Sequence, residues 1–228
     1  LAHLFLLGFV MMIIFGAMAQ LVPVVLEVGH AAVELFYAIW PLLAIGTVLM
    51  VGGFLHFPIM LPFGGIIVLV SMSIFIAEIF ATIKKVEDLD VVMTSVLVSN
   101  LFLAFGIVVG FAMSLGYAGV AAVDVSALLK SHIFFVLGGY VATALMGLSV
   151  VLLAMFGLSH GFSKKPLGVA IWLMSGAVIL VFIAALTAFH WLENIAFVLA
   201  FFSFSTYFYL VYTIYKTRAR KEIDIYAK

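Results

Sequence analysis

Seven long apolar runs dominate this sequence and limit its fold more than any other feature. They cover residues 2–26, 33–55, 60–83, 91–117, 128–157, 166–189 and 191–215. Each run is long enough to cross a bilayer as a helix, which takes about 20 mostly apolar residues. Only 9% of the residues are charged and 68% are hydrophobic, whereas a soluble domain is about a quarter charged. The sequence therefore predicts an integral membrane protein in contact with the lipid bilayer.

The same runs predict the fold class, an all-α polytopic transmembrane helical bundle with seven visible helices. They are too long for the strands of a membrane β-barrel, which take about 10 residues each. The breaks between them carry turn residues, as in "EVGH" and "SHGFSKKP". The net charge of zero gives no reason to expect a nucleic-acid partner. The absence of cysteine excludes thiolate ligands and covalent c-type haem attachment.

The basic residues predict the orientation of the bundle. With alternating helices, Lys130 falls on one side and the other nine Lys and Arg residues fall on the opposite side. The positive-inside rule makes that second side cytoplasmic, with the C-terminus there and the first residue outside. The expected location is a prokaryotic inner membrane. The nine residues are Lys84, Lys85, Lys164, Lys165, Lys216, Arg218, Arg220, Lys221 and Lys228.

Two stretches of the chain repeat with an offset close to 130 residues. "AHLFLLGF" around His3 matches "SHIFFVLGG" around His132, and "ATIKK" at residues 81–85 matches "YTIYK" at residues 212–216. We predict two pseudo-symmetric four-helix repeats. Residues 1–89 form the first repeat without its first helix, and residues 90–228 form the second. Because the chain starts outside and on Leu1, an eighth helix is expected upstream.

The six histidines follow this repeat, which makes them the candidate functional residues. Four of them are predicted to lie near the outer leaflet. An imidazole at membrane depth is energetically costly, and imidazole is a common metal ligand. These four, the predicted cofactor-binding and haem-iron ligands, are His3, His56, His132 and His190. Pairing of His3 with His56 or with His132 stays open at this point. The alternative is that the histidines recur only because helix-capping residues were duplicated along with the repeat.

Other polar residues near the helix ends receive simpler interpretations. Glu193 follows His190 by three residues, so it is either an acceptor that orients His190 or an acid favoured by the helix dipole. The turn histidines His30 and His160 are expected to be solvated. Glu78, the carboxylate inside the third run, is expected to reach the headgroups or to pair with Lys85.

Two helices carry a likeness to a known group of proteins. The stretches "HLFLLGFVMMIIFGAMAQLVPVV" and "SHIFFVLGGYVATALMGLSVVLLAMFGLSHG" resemble the histidine-led, glycine-spaced helices of small relatives of haem–copper oxidase subunit I and of the NnrS family. The duplicated layout is also similar to haem A synthase. Where some relatives carry a second histidine two places earlier, this chain has Leu1 and Lys130. The resemblance implies a membrane haem protein.

We therefore predict a membrane-embedded protein that binds haem b near the outer leaflet and has a redox or electron-transfer role. The expected enzyme class, if it catalyses a reaction, is an oxidoreductase. Quinol or a periplasmic cytochrome is the expected electron partner, and the chain is expected to form a homo-oligomer or join a larger membrane complex. The alternatives are a transporter or a copper- or zinc-handling protein, and a non-catalytic subunit or assembly factor of a respiratory complex.

Overall fold

The structure, a computed structural model, describes residues 2–187 and 189–220. Within these residues seven helices are long and apolar enough to cross a membrane, and no strand is present. The predicted all-α membrane bundle is therefore confirmed. The helices are α1 (Ala2–Leu26), α2 (Leu35–Leu55), α3 (Met60–Ile83), α4 (Val91–Tyr117), α5 (Val125–Gly157), α6 (Lys165–Thr187) and α7 (Trp191–Lys216).

The helix ends lie within three residues of the predicted bounds, and side-chain caps explain two of the starts. Helix α4 begins after Asp90, whose carboxylate accepts hydrogen bonds from the N–H groups of Val92 and Met93. Helix α5 begins earlier than predicted because Asp124 caps it by accepting from Ala127 N–H at 3.0 Å. A capping carboxylate satisfies N–H groups that have no partner inside the helix.

The helices form a bundle in which consecutive members pack against each other, while α1 also contacts α3, α4 and α5. Close approach of α2 and α3 depends on glycine. A Cβ atom at Gly64 would lie 2.7 Å from the backbone nitrogen of Met50, and one at Gly46 would lie 2.7 Å from Val68 Cγ2. Small residues at such crossings allow membrane helices to pack backbone to backbone. The outer faces remain apolar, as lipid contact requires.

Polar contacts define the two ends of the bundle. At one end, Lys85 Nζ donates to the carbonyl oxygens of Gly29 and His30, and Lys164 Nζ lies 2.9 Å from Asp90 Oδ2. We call it the basic end, because Lys84, Lys85, Lys164, Lys165, Lys216, Arg218 and Arg220 all lie at the ends of helices that meet there. Lys221 and Lys228, also expected there, lie outside the described residues. At the opposite end, which we call the histidine end, Lys130 is the basic residue.

Helices α1 and α5 share features that parallel the sequence repeat. Each contains a π-helical segment, Leu6–Met11 in α1 and Phe134–Ala142 in α5, shortly after its histidine. Each ends at a residue with a left-handed backbone, Glu27 with φ 56° and Leu158 with φ 50°. Each is then followed by a turn that contacts the end of α3 or α7. The repeats 1–89 and 90–228 themselves stay a prediction.

Candidate functional site

A cavity of about 260 Å³ lies between α1, α2, α3, α4 and α5, in the half of the bundle nearer the histidine end. Its lining is almost wholly apolar. Among the described residues that line it, the polar side chains are His3, Ser114, Tyr117 and His132. A concave, apolar space with a few convergent polar groups is the usual form of a small-molecule or cofactor site, so we take this cavity as the candidate site.

Two of the predicted ligands, His3 and His132, come together at the wall of the cavity. Their ring centres are 6.3 Å apart and their planes differ by only 14°. His3 lies in the first turn of α1 and His132 lies in the third turn of α5, and these two helices run in the same direction. The sequence left two pairings open, His3 with His56 and His3 with His132. The structure brings His3 close to His132, its counterpart in the second predicted repeat.

The ring of His132 is held against α4 by one hydrogen bond and one glycine. Its Nδ1 lies 3.0 Å from the carbonyl oxygen of Gly106. Because a carbonyl oxygen only accepts, Nδ1 carries the proton, and Nε2 is left without one in the neutral ring. Gly110 makes the room for this ring, since a Cβ atom there would lie 2.7 Å from His132 Cε1. In this neutral form Nε2 of His132 carries the lone pair with which an imidazole ligates a metal.

Aromatic packing alone positions the ring of His3. It stacks on Phe54, with ring centres 5.0 Å apart and planes 27° apart. Phe54 in turn meets the ring of Tyr117 edge-on at 5.6 Å. The His3 ring makes no hydrogen bond to the residues that the structure describes, so both of its nitrogens remain available for a bound group.

The other two predicted ligands lie on the surface and away from the cavity. His56 is exposed at the end of α2, with its ring 6.2 Å from that of Phe57. His190 precedes α7, and its side chain is 79% exposed. In the described part of the chain, no three His, Asp or Glu residues are grouped so as to hold a metal ion. The assignment of all four histidines as ligands stays a prediction, and the structure groups only His3 with His132.

Glu193 has two partners at the histidine end. Its Oε1 lies 3.4 Å from His190 Nδ1, and its Oε2 lies 2.6 Å from Lys130 Nζ. The second contact joins the start of α7 to α5. Glu193 therefore contacts His190, which agrees with the prediction that it is an acceptor that orients this histidine. Glu193 does not line the cavity.

Four methionines in the lining were not expected from the sequence. They are Met11, Met50, Met72 and Met113, one from each of the first four helices. The chain has 11 methionines, most of them within apolar runs, so no local signal distinguishes these four. Their grouping depends on how the four helices face one another.

A second polar cluster lies at the basic end, and it contradicts two expectations. The His30 side chain is 7% exposed rather than solvated, and its Nδ1 lies 2.9 Å from Glu78 Oε1. Glu78 therefore pairs with His30, while Lys85 contacts backbone carbonyls. His160, the repeat counterpart of His30, is exposed as expected. The sequence signal was the lone carboxylate inside an apolar run, which needs a buried partner.

The sequence matches no protein-family model, and comparison with curated proteins and with solved structures finds no similar protein. The resemblance to haem–copper oxidase relatives, to NnrS and to haem A synthase therefore stays a prediction.

Proposed function

We propose that this integral membrane protein binds haem b in the apolar cavity and transfers electrons, with His3 and His132 as the residues that would hold its iron. The observation that carries the proposal is the geometry of this pair. A metal–imidazole bond is about 2 Å long and the ring centre lies about 1 Å beyond the nitrogen, so two imidazoles that held one metal ion between them would have their centres about 6 Å apart. The two rings here are 6.3 Å apart and almost parallel.

The surroundings of the pair suit a haem. The bond from His132 Nδ1–H to Gly106 O is the kind of outer contact that fixes the orientation of a ligating imidazole. Apolar side chains of five helices line the space beside the two rings and give it a low polarity. A bound haem supplies one-electron redox chemistry at its iron, while the protein sets the ligands and the low polarity around it.

The same proposal includes an orientation and a location. The positive-inside rule places the basic end in the cytoplasm, so the C-terminus lies there and the cavity lies near the outer leaflet. The proposed membrane is a prokaryotic inner membrane. An electron donor or acceptor at the outer side, either quinol or a periplasmic cytochrome, fits this position of the cavity. Association with copies of itself or with a larger membrane complex remains part of the proposal.

Optical spectra of the purified protein test the proposal, before and after titration with haem. We expect a Soret band with the features of six-coordinate, bis-imidazole haem. H3A and H132A should lose it or convert it to a five-coordinate form, because each removes one axial ligand. H56A and H190A serve as matched controls, since both histidines are exposed, and they should bind as the wild type does. No Soret band in the wild type after reconstitution overturns the proposal.

A copper site is the second candidate, favoured by the four cavity methionines. Thioether and imidazole are preferred ligands of Cu(I), and Met11, Met50, Met72 and Met113 share the cavity with the two histidines. This candidate predicts stoichiometric copper under reducing conditions, measured by elemental analysis, and no Soret band. A spectrum of bis-imidazole haem without bound copper excludes it.

A further inference from the structure

A buried acid–base pair at the basic end has no part in the proposed haem site. Glu78 in α3 is fully buried, with a side-chain exposure of 0%, and His30 lies in the turn after α1 with 7%. Glu78 Oε1 lies 2.9 Å from His30 Nδ1 and accepts hydrogen bonds from Ala31 N–H at 3.1 Å and from the Thr82 hydroxyl at 2.8 Å. The second oxygen, Oε2, is buried and has no partner among the described residues.

The partners of His30 determine how many protons the pair holds. Its Nε2 lies 2.8 Å from the carbonyl oxygen of Ala19. A carbonyl oxygen only accepts, so Nε2 carries a proton. The contact of Nδ1 with Glu78 Oε1 then needs one further proton, on the ring or on the carboxyl group, because two lone pairs repel each other. In either form the pair has zero net charge.

The uneven bonding of Glu78 leaves a place for one more proton. Oε1 has three partners, whereas Oε2 has none, and a buried carboxylate oxygen without a donor is costly. The His30 side chain keeps an exposure of 7% whereas the Glu78 side chain has none, so solvent reaches the pair at the histidine. The ring of Phe36 lies 5.0 Å from that of His30 and packs against it edge-on.

Few other charges surround the pair. From α3, Lys85 places its ammonium group on the carbonyl oxygens of Gly29 and His30, and Lys84 is exposed. The turn carries Glu27 and Glu34, both exposed. Among the residues that the structure describes, helix α1 contacts His30 through the Ala19 carbonyl and α2 through the Phe36 ring. The nearest fixed charge is therefore positive, and it lies at the solvent side of the cluster.

We propose that Glu78 and His30 form a proton-binding site that exchanges protons with the solvent at the basic end. In uptake, a hydronium ion of the solvent gives up one proton at His30, and the added proton ends on Glu78 Oε2 while the proton between His30 Nδ1 and Glu78 Oε1 stays in place. Glu78 becomes a neutral carboxylic acid, His30 remains an imidazolium, and the net charge of the pair rises from zero to plus one. Release reverses these transfers.

The site is close enough to the cavity to respond to a charge there. Glu78 follows the cavity residue Met72 by six positions on α3, which is about 9 Å along the helix. An electron added to a cofactor in the cavity therefore favours proton uptake at Glu78, across a stretch of low polarity. This coupling rests on the proposed function, whereas the proton-binding site does not.

Infrared difference spectroscopy tests the site without any cofactor. We expect the carbonyl-stretch band of a protonated carboxyl group to change with pH in the wild type. E78Q should lose this change and H30Q should remove or strongly alter its pH dependence. The controls are E34Q, an exposed acid of the same turn, and H160Q, the exposed repeat counterpart of His30, and both should keep the wild-type band.

A second variant, T82V, tests the proton-binding site if E78Q is unstable. If E78Q does not fold, T82V is measured, because it keeps the carboxyl group and removes one donor to Oε1, so the pH dependence of the carboxyl band should differ from that of the wild type. A wild-type spectrum without a pH-dependent carboxyl band, or the same band in E78Q, overturns the proton-binding site and shows that the pair only anchors the turn.

The coupling has its own measurement, once a haem is bound. The midpoint potential of the wild-type haem should vary with pH, and this variation should be reduced in E78Q but kept in E34Q. A pH-independent potential in the wild type overturns the coupling and leaves the site in place. Absence of haem binding overturns the proposed function instead, and it does not affect the infrared result.

Discussion

Gly110 determines where the ring of His132 lies. A Cβ atom at this position would stand 2.7 Å from His132 Cε1 and 3.1 Å from its Nδ1, distances at which the ring must move. The hydrogen bond from His132 Nδ1–H to Gly106 O fixes the same ring from one turn away. A single glycine on α4 thus sets the orientation of a proposed ligand on α5.

G110A should therefore weaken cofactor binding without unfolding the bundle. Displacing the ring breaks its bond to Gly106 O, and the loss of such outer contacts lowers metal affinity about tenfold or more. Haem titration of the purified variants measures the effect. G168A is the control, because a Cβ atom there meets only Val91 Cγ2 at 3.5 Å. Equal affinities of G110A and the wild type would show that His132 is not positioned by α4.

Helix starts are the element-scale features with clear electrostatic consequences. Asp90 caps α4 and also pairs with Lys164 at the start of α6. Burial acts to raise the pKa of Asp90, but the Met93 N–H group, the Lys164 ammonium and the Val92 N–H group together hold that pKa below its ordinary value. Since the folded state depresses the pKa, ionised Asp90 stabilises the protein above the unfolded pKa, and this contribution disappears as the pH falls.

D90A should consequently lower stability at neutral pH, by about 1 kcal/mol, the usual cost of losing a helix cap. The difference from the wild type should shrink below about pH 4, where the aspartate of the unfolded chain and then that of the folded protein become protonated. Thermal unfolding in detergent across this pH range measures it. D88A is the matched control, because Asp88 is exposed in the same loop. A constant difference at all pH values would contradict the assignment.

The π-helical segments show what a helix-scale interpretation of the sequence misses. Both candidate ligands precede such a segment, Leu6–Met11 in α1 and Phe134–Ala142 in α5. Apolar periodicity identified each helix, but it does not distinguish an α-turn from a π-turn, because both keep the backbone bonded within the helix. π-Helical turns occur frequently at functional sites, and here they accompany the two histidines that meet.

At the scale of the whole molecule, the separation of charge between the two ends predicts the orientation in the membrane. The chain has no cysteine, so single cysteines can be introduced and labelled with a membrane-impermeant maleimide. A121C, in the exposed loop at the histidine end, should label in intact cells. D88C, in the exposed loop at the basic end, should label only after lysis. The reverse pattern would overturn the orientation but not the fold.

Much of the fold and part of the site were predictable from the sequence. Helix number and bounds follow from local properties, namely the length of each apolar run and the turn residues and caps between runs. His3 and His132 were among the four predicted ligands because histidine is rare at membrane depth. His56 and His190 were grouped with them only because all four were predicted at a similar depth in the membrane. The depth of a residue in the membrane does not determine whether its side chain faces the interior of the bundle. The burial of His30 was missed because its partner, Glu78, is 48 positions away.

The sequence by itself determined that the chain spans a membrane as seven helices and, to within three residues, where each begins and ends, because a bilayer requires long apolar segments with internally bonded backbones. Only the tertiary structure decided which polar residues meet. The neighbours of each helix around the bundle brought His3 to His132, gathered four methionines beside them, and buried Glu78 against His30. These contacts join residues far apart in the chain, and they depend on the packing of whole helix faces, which no local pattern specifies.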